Sequence, residues 1–518
     1  MTRSSTDSFT DSLTDSSHEF AHATASSKPA DFLYLALLTI GAVLVAGYHP
    51  YVEDAEIYLP GVKKILNPAL YPFGGEFFLS HAHMTLFPRV IAWSVRLSHL
   101  PFDVAIFLWQ LLSIFLLLLA CWKLSGVCFR DSRARWCGVA LVAVLLTLPV
   151  AGTALYIMDQ YITSRSLSAF SVLFAIFYAV KKKYVWAALW ILFTAAVHPL
   201  MSVFGLAYLF FLFFTRTLGG AEKSSVRLAA LLLPFGLSLH SPSPAYREAV
   251  ATRSYFFILQ WAWYEWLGIF APLAILWWIS RIARKNHLVT LEQMSRALIP
   301  FALSFFALAL IITIPDRLLS LAWFQPMRSL YILYILLILF GGGLLAQFVL
   351  KNHFWRWALL FLPLCAGMFY VQRQIFPGTV HLELPGRASG NPWVQSFTWI
   401  RDNTPTDALF ALDPAHMALP GEDQHGFRAL AERSRLADRT KDSGAVTMFP
   451  DLPVADHWRE QIRAQDGWNH FQRDDFARLK KLYGVTWVVL PRIAQQRPGV
   501  SGLTCPYQND ALLVCRLD

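Results

Sequence analysis

The chain has 518 residues, of which 56% are hydrophobic, 15% aromatic and only 15% charged, against roughly 25% charged in an ordinary soluble domain. So much apolar sequence, gathered into stretches near the ~20 residues that a bilayer crossing requires, excludes a single soluble domain and predicts a mainly α, polytopic membrane protein. The net charge of +10 is no nucleic-acid footprint: residues 1–30 carry two basic and four acidic side chains, residues 378–518 carry 16 and 17, and residues 31–377 carry 26 and 13, so the excess marks membrane topology.

Residues 1–30 are a Ser/Thr/Asp tract with an imperfect "TDS" repeat, too polar to offset the entropy of ordering, and are predicted to be a disordered cytoplasmic tail. Their long acidic character differs from the short basic start of a cleavable signal. About eleven spans are predicted, near 31–47, 103–122, 136–151, 166–180, 184–198, 200–214, 227–240, 257–280, 297–314, 328–350 and 355–371. With the N-terminus in the cytoplasm, the five loops sent inside hold 16 of the 26 basic residues of the apolar region, as the positive-inside rule demands. The odd span count then places the C-terminus outside.

The segment 48–102, between the first two spans, is too long for a plain connection. It opens with "HPYVEDAEIY" (49–58), which crowds Glu53, Asp54 and Glu56 into four residues, and its stretch 85–98 has an apolar face with Arg89 and Arg96 seven residues apart. An ordered outer loop containing one or two interfacial helices is predicted. Further charges gather near the outer ends of spans: Asp159 and Arg165, His198, Arg247, Arg253 and Arg328. A charge at the bilayer centre costs about 2.5–3.5 kcal/mol on insertion scales, so these should line a cavity or the interface.

From Pro377 the composition becomes that of a soluble α/β domain, 377–518. A helix is predicted in "NPWVQSFTWIRDNTP", strands in "DALFALD" and "VTWVVLPR", a helix ended by Gly484 in "DDFARLKKLYG", and a hairpin turning at Asn509-Asp510. Cys505 and Cys515 flank that turn, and an exterior compartment permits a disulfide between them, with two free thiols as the alternative. No other cysteine has metal-ligand spacing.

An apolar span, an acidic motif ("YVEDAEIY") at the mouth of a long outer loop, many further spans over 31–376 and a soluble outer domain together resemble the glycosyltransferase C superfamily. The phrases "WIRDNTPTDALF", "FRALAERSRLADRT" and "YGVTWVVLPR" look like the outer domain of bacterial proteins with this architecture. The resemblance implies an integral protein of the bacterial inner membrane, with its C-terminal domain periplasmic. It implies transfer of a sugar from a polyprenyl-phosphate carrier, a membrane lipid, to an acceptor of unknown identity, by an acid in the first outer loop.

The chemistry needs a base for the acceptor and positive charge for the departing phosphate. Asp54 is the candidate base, with Glu53 or Glu56 able to exchange roles, and like-charge crowding is expected to raise its proton affinity. A solvated acidic loop is the plainer alternative. Arg165, Arg247, Arg253 and Arg328 are candidates for the phosphate, against simple interfacial snorkelling. His198 could donate to a hydroxyl or phosphate or merely sit at a helix end. The resemblance also implies, through the superfamily's oligosaccharyltransferases, which hold a divalent metal with acids from two outer loops, that Asp159, on the same side as Asp54, could join it in doing so, although no paired-acid motif accompanies it; no cofactor is otherwise expected. "HAH" at 81–83 lacks a third ligand and reads as interfacial. The competing functional classes are a transporter or flippase of a lipid-linked or anionic solute, which should show repeated halves and midplane polar residues, and a non-catalytic envelope scaffold.

Overall fold

A computed structural model of the chain describes residues 29–218, 242–450, 453–496, 500 and 502–517. Its membrane part runs α1 (Pro29–Ala46), α2 (Ala55–Leu66), α3 (Glu76–Met84), α4 (Phe87–Ser98), α5 (Phe102–Cys128), α6 (Ser132–Val144), α7 (Ser164–Val180), α8 (Tyr184–Val197), α9 (Pro199–Leu218), α10 (Pro244–Ala251), α11 (Trp263–Lys285), α12 (Val289–Thr313), α13 (Leu330–Leu344) and α14 (Phe354–Ile375). The predicted tail, apart from its last two residues, and the predicted span 227–240 lie outside the described residues.

Among the described residues seven helical segments are long and apolar enough to cross a membrane: α1, α5, α9 to Arg216, α11, α12, the run Asp316–Leu350 that contains α13, and α14. The chain is a polytopic α-helical membrane protein. The expected spans 166–180 and 184–198 are apolar helices of only 17 and 14 residues, α7 and α8, and 136–151 shortens to the 13 residues of α6. At 1.5 Å per residue these reach about 20–25 Å, less than a ~30 Å hydrocarbon core. Helix α7 is buried along almost its whole length, serines included, because α5, α8 and α9 pack around it. Where α6 meets α13 the backbones nearly touch: a Cβ on Gly342 would lie 2.8 Å from the Cα of Gly138, so small residues there set the helix separation.

The long connection after α1 is ordered as three helices, α2, α3 and α4. On α4, Ile91 and Ala92 are buried while Trp93 and Leu97 are exposed, with Arg89 and Arg96 also at the surface, the split of an interfacial helix.

The C-terminal domain continues with α15 (Pro392–Asn403), β1 (Leu409–Ala411), α16 (Phe427–Ala431), β2 (Ser434–Arg435), α17 (Asp442–Thr447), α18 (Val454–Ala464), α19 (Arg473–Tyr483), β3 (Trp487–Pro491), β4 (Thr504–Gln508) and β5 (Leu512–Arg516). The sheet order is β2-β1-β3-β5-β4. The β2-β1-β3 half is parallel and its β5 and β4 neighbours are antiparallel. Asn391 caps α15, Gly484 ends α19 in the left-handed region (φ +76), and the Asn509 carboxamide accepts from the N–H groups of Ala511 and Leu512 to close the hairpin. Cys505 and Cys515 are disulfide-bonded across that hairpin.

The two parts are stitched together by the stretch that leaves α1. Tyr48 bridges to Leu382 and Val52 to His425, and the N–H groups of Glu53 and Gly426 donate to the carbonyls of Gln424 and Tyr51, both at 2.8 Å. Beneath this backbone clamp, the Glu383 carboxylate lies between two buried imidazoles, 2.6 Å from His49 Nδ1 and 3.4 Å from His425 Nε2. Burial would raise the Glu383 carboxyl, yet hydrogen bonds from His425 and His49 outweigh it and hold it down at about 2. Burial would lower His425, yet the same carboxylate lifts it to about 9.

This clamp has a defined pH window. The stabilisation from His425, whose folded value exceeds the ordinary 6.5, is complete below that value and is lost as pH rises through about 9. That from Glu383, depressed below 4.5, is present above 4.5 and lost as pH falls toward about 2. Thermal unfolding followed by tryptophan fluorescence should therefore plateau near pH 5–6.5 and weaken on either side. Glu383→Gln should lower the plateau by about 3–5 kcal/mol, the cost of breaking a buried pair, and flatten the alkaline fall.

Candidate active site

After Val52 the chain reverses: Glu53 takes φ +55, a conformation that costs a non-glycine residue of order 1 kcal/mol and persists only where the surroundings enforce it. Asp54 stands at the N-cap of α2, but its side chain caps nothing. Its carboxylate instead faces two cations from elsewhere. Arg165 Nη1 donates to Oδ2 at 2.9 Å, and Lys441 Nζ donates to Oδ1 at 3.1 Å. The Asp54 N–H donates to the Tyr161 hydroxyl at 3.2 Å.

Arg165 lies in the first turn of α7, where Thr163 and Ser166 form a capping box that fixes the helix start. Its guanidinium spans two acids: besides Asp54 it binds Asp159 Oδ2 through Nη2 at 2.8 Å and Nε at 3.2 Å. Lys441, at the N-cap of α17, also bonds the Glu53 carboxylate. The Arg165 and Lys441 side chains are each only 8% exposed, whereas Asp54 keeps 27% and Glu53 36% of their side-chain surface open, so these acids are the accessible members of the cluster.

Burial alone would raise the Asp54 carboxyl, but Lys441 and then Arg165 outweigh it and hold the group well below the usual carboxylate range. Crowding by like charge is therefore not what tunes Asp54, and the expectation of a raised proton affinity is corrected. The cause is geometric. Glu56 turns the opposite way, fully buried, and accepts the N–H groups of Arg428 and Ala429 at 3.0 Å each, capping the start of α16; it does not stand beside Asp54. Asp159 behaves differently: its burial raises the carboxyl in spite of Arg165, and the nearby Asp54 charge adds to the rise.

The remaining predicted residues divide. Arg328 contributes to the field at Asp54, lies 5.6 Å over the Tyr255 ring, and has a buried Nε with no hydrogen-bond partner. It also lines a small cleft with Thr153, Tyr255, Gln325 and Met327. His198 has a buried, unpartnered Nδ1, and burial, then Arg165 and Arg328, press its imidazole down to about 3. Arg253 serves the neighbouring turn, donating to the Thr440 carbonyl and the Ser443 hydroxyl, and so braces the segment that presents Lys441. Arg247, 44% exposed and 3.6 Å from Asp316, stands at the surface with no bond into the cluster.

Lys441 is the participant that sequence reasoning missed. "ADRTKDSG" carries no motif, and only its own neighbours hint at a role: Arg428 grips Asp442 with both Nη atoms at 2.9 Å while also touching Glu56. For a divalent metal, the donors present fit poorly. Both Asp54 oxygens and the Asp159 Oδ2 are taken by fixed cations, which an ion would have to displace, and among the described residues no group of three or more His, Cys, Asp or Glu is arranged to hold one.

No family model matches the sequence, and no curated protein matches it. Among solved structures, the chain is similar to the apo Archaeoglobus fulgidus oligosaccharyltransferase, at 11% identity and a TM-score of 0.48. It is also similar to Archaeoglobus fulgidus AglB in complex with an inhibitory peptide and a dolichol-phosphate (11%, 0.43), and to the oligosaccharyltransferase tethered to an acceptor peptide containing the NVT sequon (12%, 0.40). Each comparison covers 90% of this chain and 70% of the other.

The interdomain bridge predicts strong coupling between Asp54 and Lys441. In a double-mutant cycle of Asp54→Asn and Lys441→Met, thermal or denaturant unfolding should show a coupling energy of about 1–3 kcal/mol. Lys441→Met alone should itself be destabilising, because it leaves Glu53 without its cation and Asp54 with Arg165 only.

Proposed function

We propose that the protein is a membrane glycosyltransferase that moves a sugar from a polyprenyl-phosphate carrier to an acceptor, acting at the face where the C-terminal domain meets the helices. The observation that carries this reading is the single guanidinium of Arg165 joining acids from two separate connections, with Arg328 close by and its Nε free. Transfer from a phosphate carrier needs an anion to orient the acceptor and cations to hold the departing phosphate. Asp54, part exposed and permanently ionised, orients an acceptor O–H or N–H toward the anomeric carbon. Arg328, assisted by His198, receives the phosphate oxygens, a task suited to a fork of N–H donors. Attack from the side opposite the carrier inverts the configuration at that carbon.

The charge distribution supports the orientation: the inside loops hold the lysine and arginine clusters, so the N-terminus is cytoplasmic and the C-terminal domain lies on the extracytoplasmic side, periplasmic if the source is bacterial. The carrier enters laterally from the bilayer, and the acceptor arrives from the aqueous side.

The test uses purified full-length protein in nanodiscs with a panel of polyprenyl-phosphate monosaccharides and candidate acceptors, and measures release of polyprenyl phosphate. Wild-type protein should release it in an acceptor-dependent manner. Asp54→Asn and Arg328→Met should each lower kcat by about 10²–10³, the usual cost of losing one fixed electrostatic contact, with the unfolding temperature of Arg328→Met little changed. Uptake of intact carrier or solute into proteoliposomes without release would replace this reading with a transporter.

A further inference from the structure

At about 100° per residue, the sides of α4 differ in character. Phe87, Ile91 and Ala92 are buried, where the helix packs against α2 and α5. Leu86, Trp93 and Leu97 form an outward apolar band, 43%, 68% and 86% exposed. Arg89 and Arg96 stand seven residues apart, nearly two full turns, and so share one edge of that band; both are exposed. Residues 85–100 contain no acid.

Two contacts fix where this face lies. Trp109, on the span α5, donates its indole N–H to the Ser94 hydroxyl at 2.8 Å. Trp109 is within about 10 Å of the start of α5 at Phe102, so α4 is held alongside the end of a membrane-crossing helix. Its own 12 residues reach only about 18 Å, too short to cross a bilayer. At the opposite edge, Arg96 Nη2 donates to the Ile65 carbonyl at 2.5 Å, in the last turn of α2, the helix that starts at Asp54.

We infer that this face of α4 docks on the membrane surface by binding anionic phospholipid headgroups along the Arg89–Arg96 edge. Leu86 and Leu97 enter the acyl boundary, Trp93 sits at headgroup depth, and the two guanidinium groups meet the phosphates, for which their forked N–H donors are suited. The charge pattern selects this occupant. A zwitterionic surface would serve the apolar band but would offer the arginines no net negative charge. A second copy packed face to face would bring the same positive edge against this one, with no acid in the stretch to pair with it. A soluble partner would have to displace lipid from beside α5. Arg96 then joins a lipid phosphate to the end of α2, so lipid charge is linked through one side chain to the helix that Asp54 begins.

This surface goes beyond the transferase reading, and its test needs no turnover. Hydrogen exchange is measured on the full-length protein in nanodiscs. With about one third phosphatidylglycerol in phosphatidylcholine, the amides of 87–98 should exchange about fivefold or more slowly than in phosphatidylcholine alone, the effect of roughly one arginine at a charged membrane surface. About 0.5 M salt should remove the difference, because the Debye length falls to a few ångström. Arg89→Gln should shrink the difference and Arg89→Gln with Arg96→Gln should abolish it. Trp93→Ser should speed exchange in both compositions, since it removes the anchor and leaves the charge. Unfolding temperature in detergent without anionic lipid establishes that the variants are folded. Equal exchange in the two compositions, or a difference that survives both arginine substitutions, overturns the assignment. Slow exchange found only when two copies share a nanodisc overturns it as well and gives this face to a second copy.

Discussion

Three charges brought from three distant segments hold this molecule's working face together: Arg165 from the start of a buried helix, Asp54 from the first connection, and Lys441 from the C-terminal domain. Taking such groups out of water costs several kcal/mol each, repaid only when every charge finds a partner in good geometry. Here the partners interlock. Arg165 bonds Asp54 and Asp159, and Lys441 bonds Asp54 and Glu53, so loss of Arg165 strands Asp159 and loss of Lys441 strands Glu53. The backbone clamp around Tyr48–Glu53 fixes the acids where those cations can reach them. The result is a carboxylate held at a boundary between apolar helices and a soluble domain, partly open to whatever approaches.

The three acids of "HPYVEDAEIY" illustrate how a short sequence can serve unlike purposes. Glu53 turns to Lys441, Asp54 shares Lys441 with Arg165, and Glu56 enters the C-terminal domain to cap α16 and touch Arg428. Arg428 in turn grips Asp442, the residue after Lys441. The buried Glu56 therefore belongs to the support of the site, while Asp54 belongs to its surface. Asp54 and Glu56 stand two residues apart at the start of α2, so they point about 200° apart around the helix and reach opposite sides.

That arrangement alters the chemistry expected of an acidic loop. An acid crowded by other acids would hold its proton more tightly and make a better base. An acid shared by two cations stays ionised and is suited to orient, stabilise and align. The cluster thus suits Asp54 to positioning more than to taking a proton, and its cations differ in what they are bonded to. Arg165 and Lys441 are committed to structure, whereas Arg328, with its Nε unpartnered, retains capacity for an anionic ligand.

Much of the architecture was legible in the residues alone. Apolar runs marked the spans, and the alternation of helix and strand after Pro377, the turn at Asn509-Asp510 and the pairing of Cys505 with Cys515 all appeared where the sequence placed them. These features depend on periodicity or on residues close together in the chain, and local physics suffices for them. Two things were decided only by tertiary structure. Helix α6 ends at Val144, seven residues short of the expected 151. The partners of Asp54 are 111 and 387 residues away, and the left-handed backbone at Glu53 is one that no residue type announces. A linear pattern records which charges exist; which of them meet, and therefore which remain free to act, follows from the packing that desolvates them together.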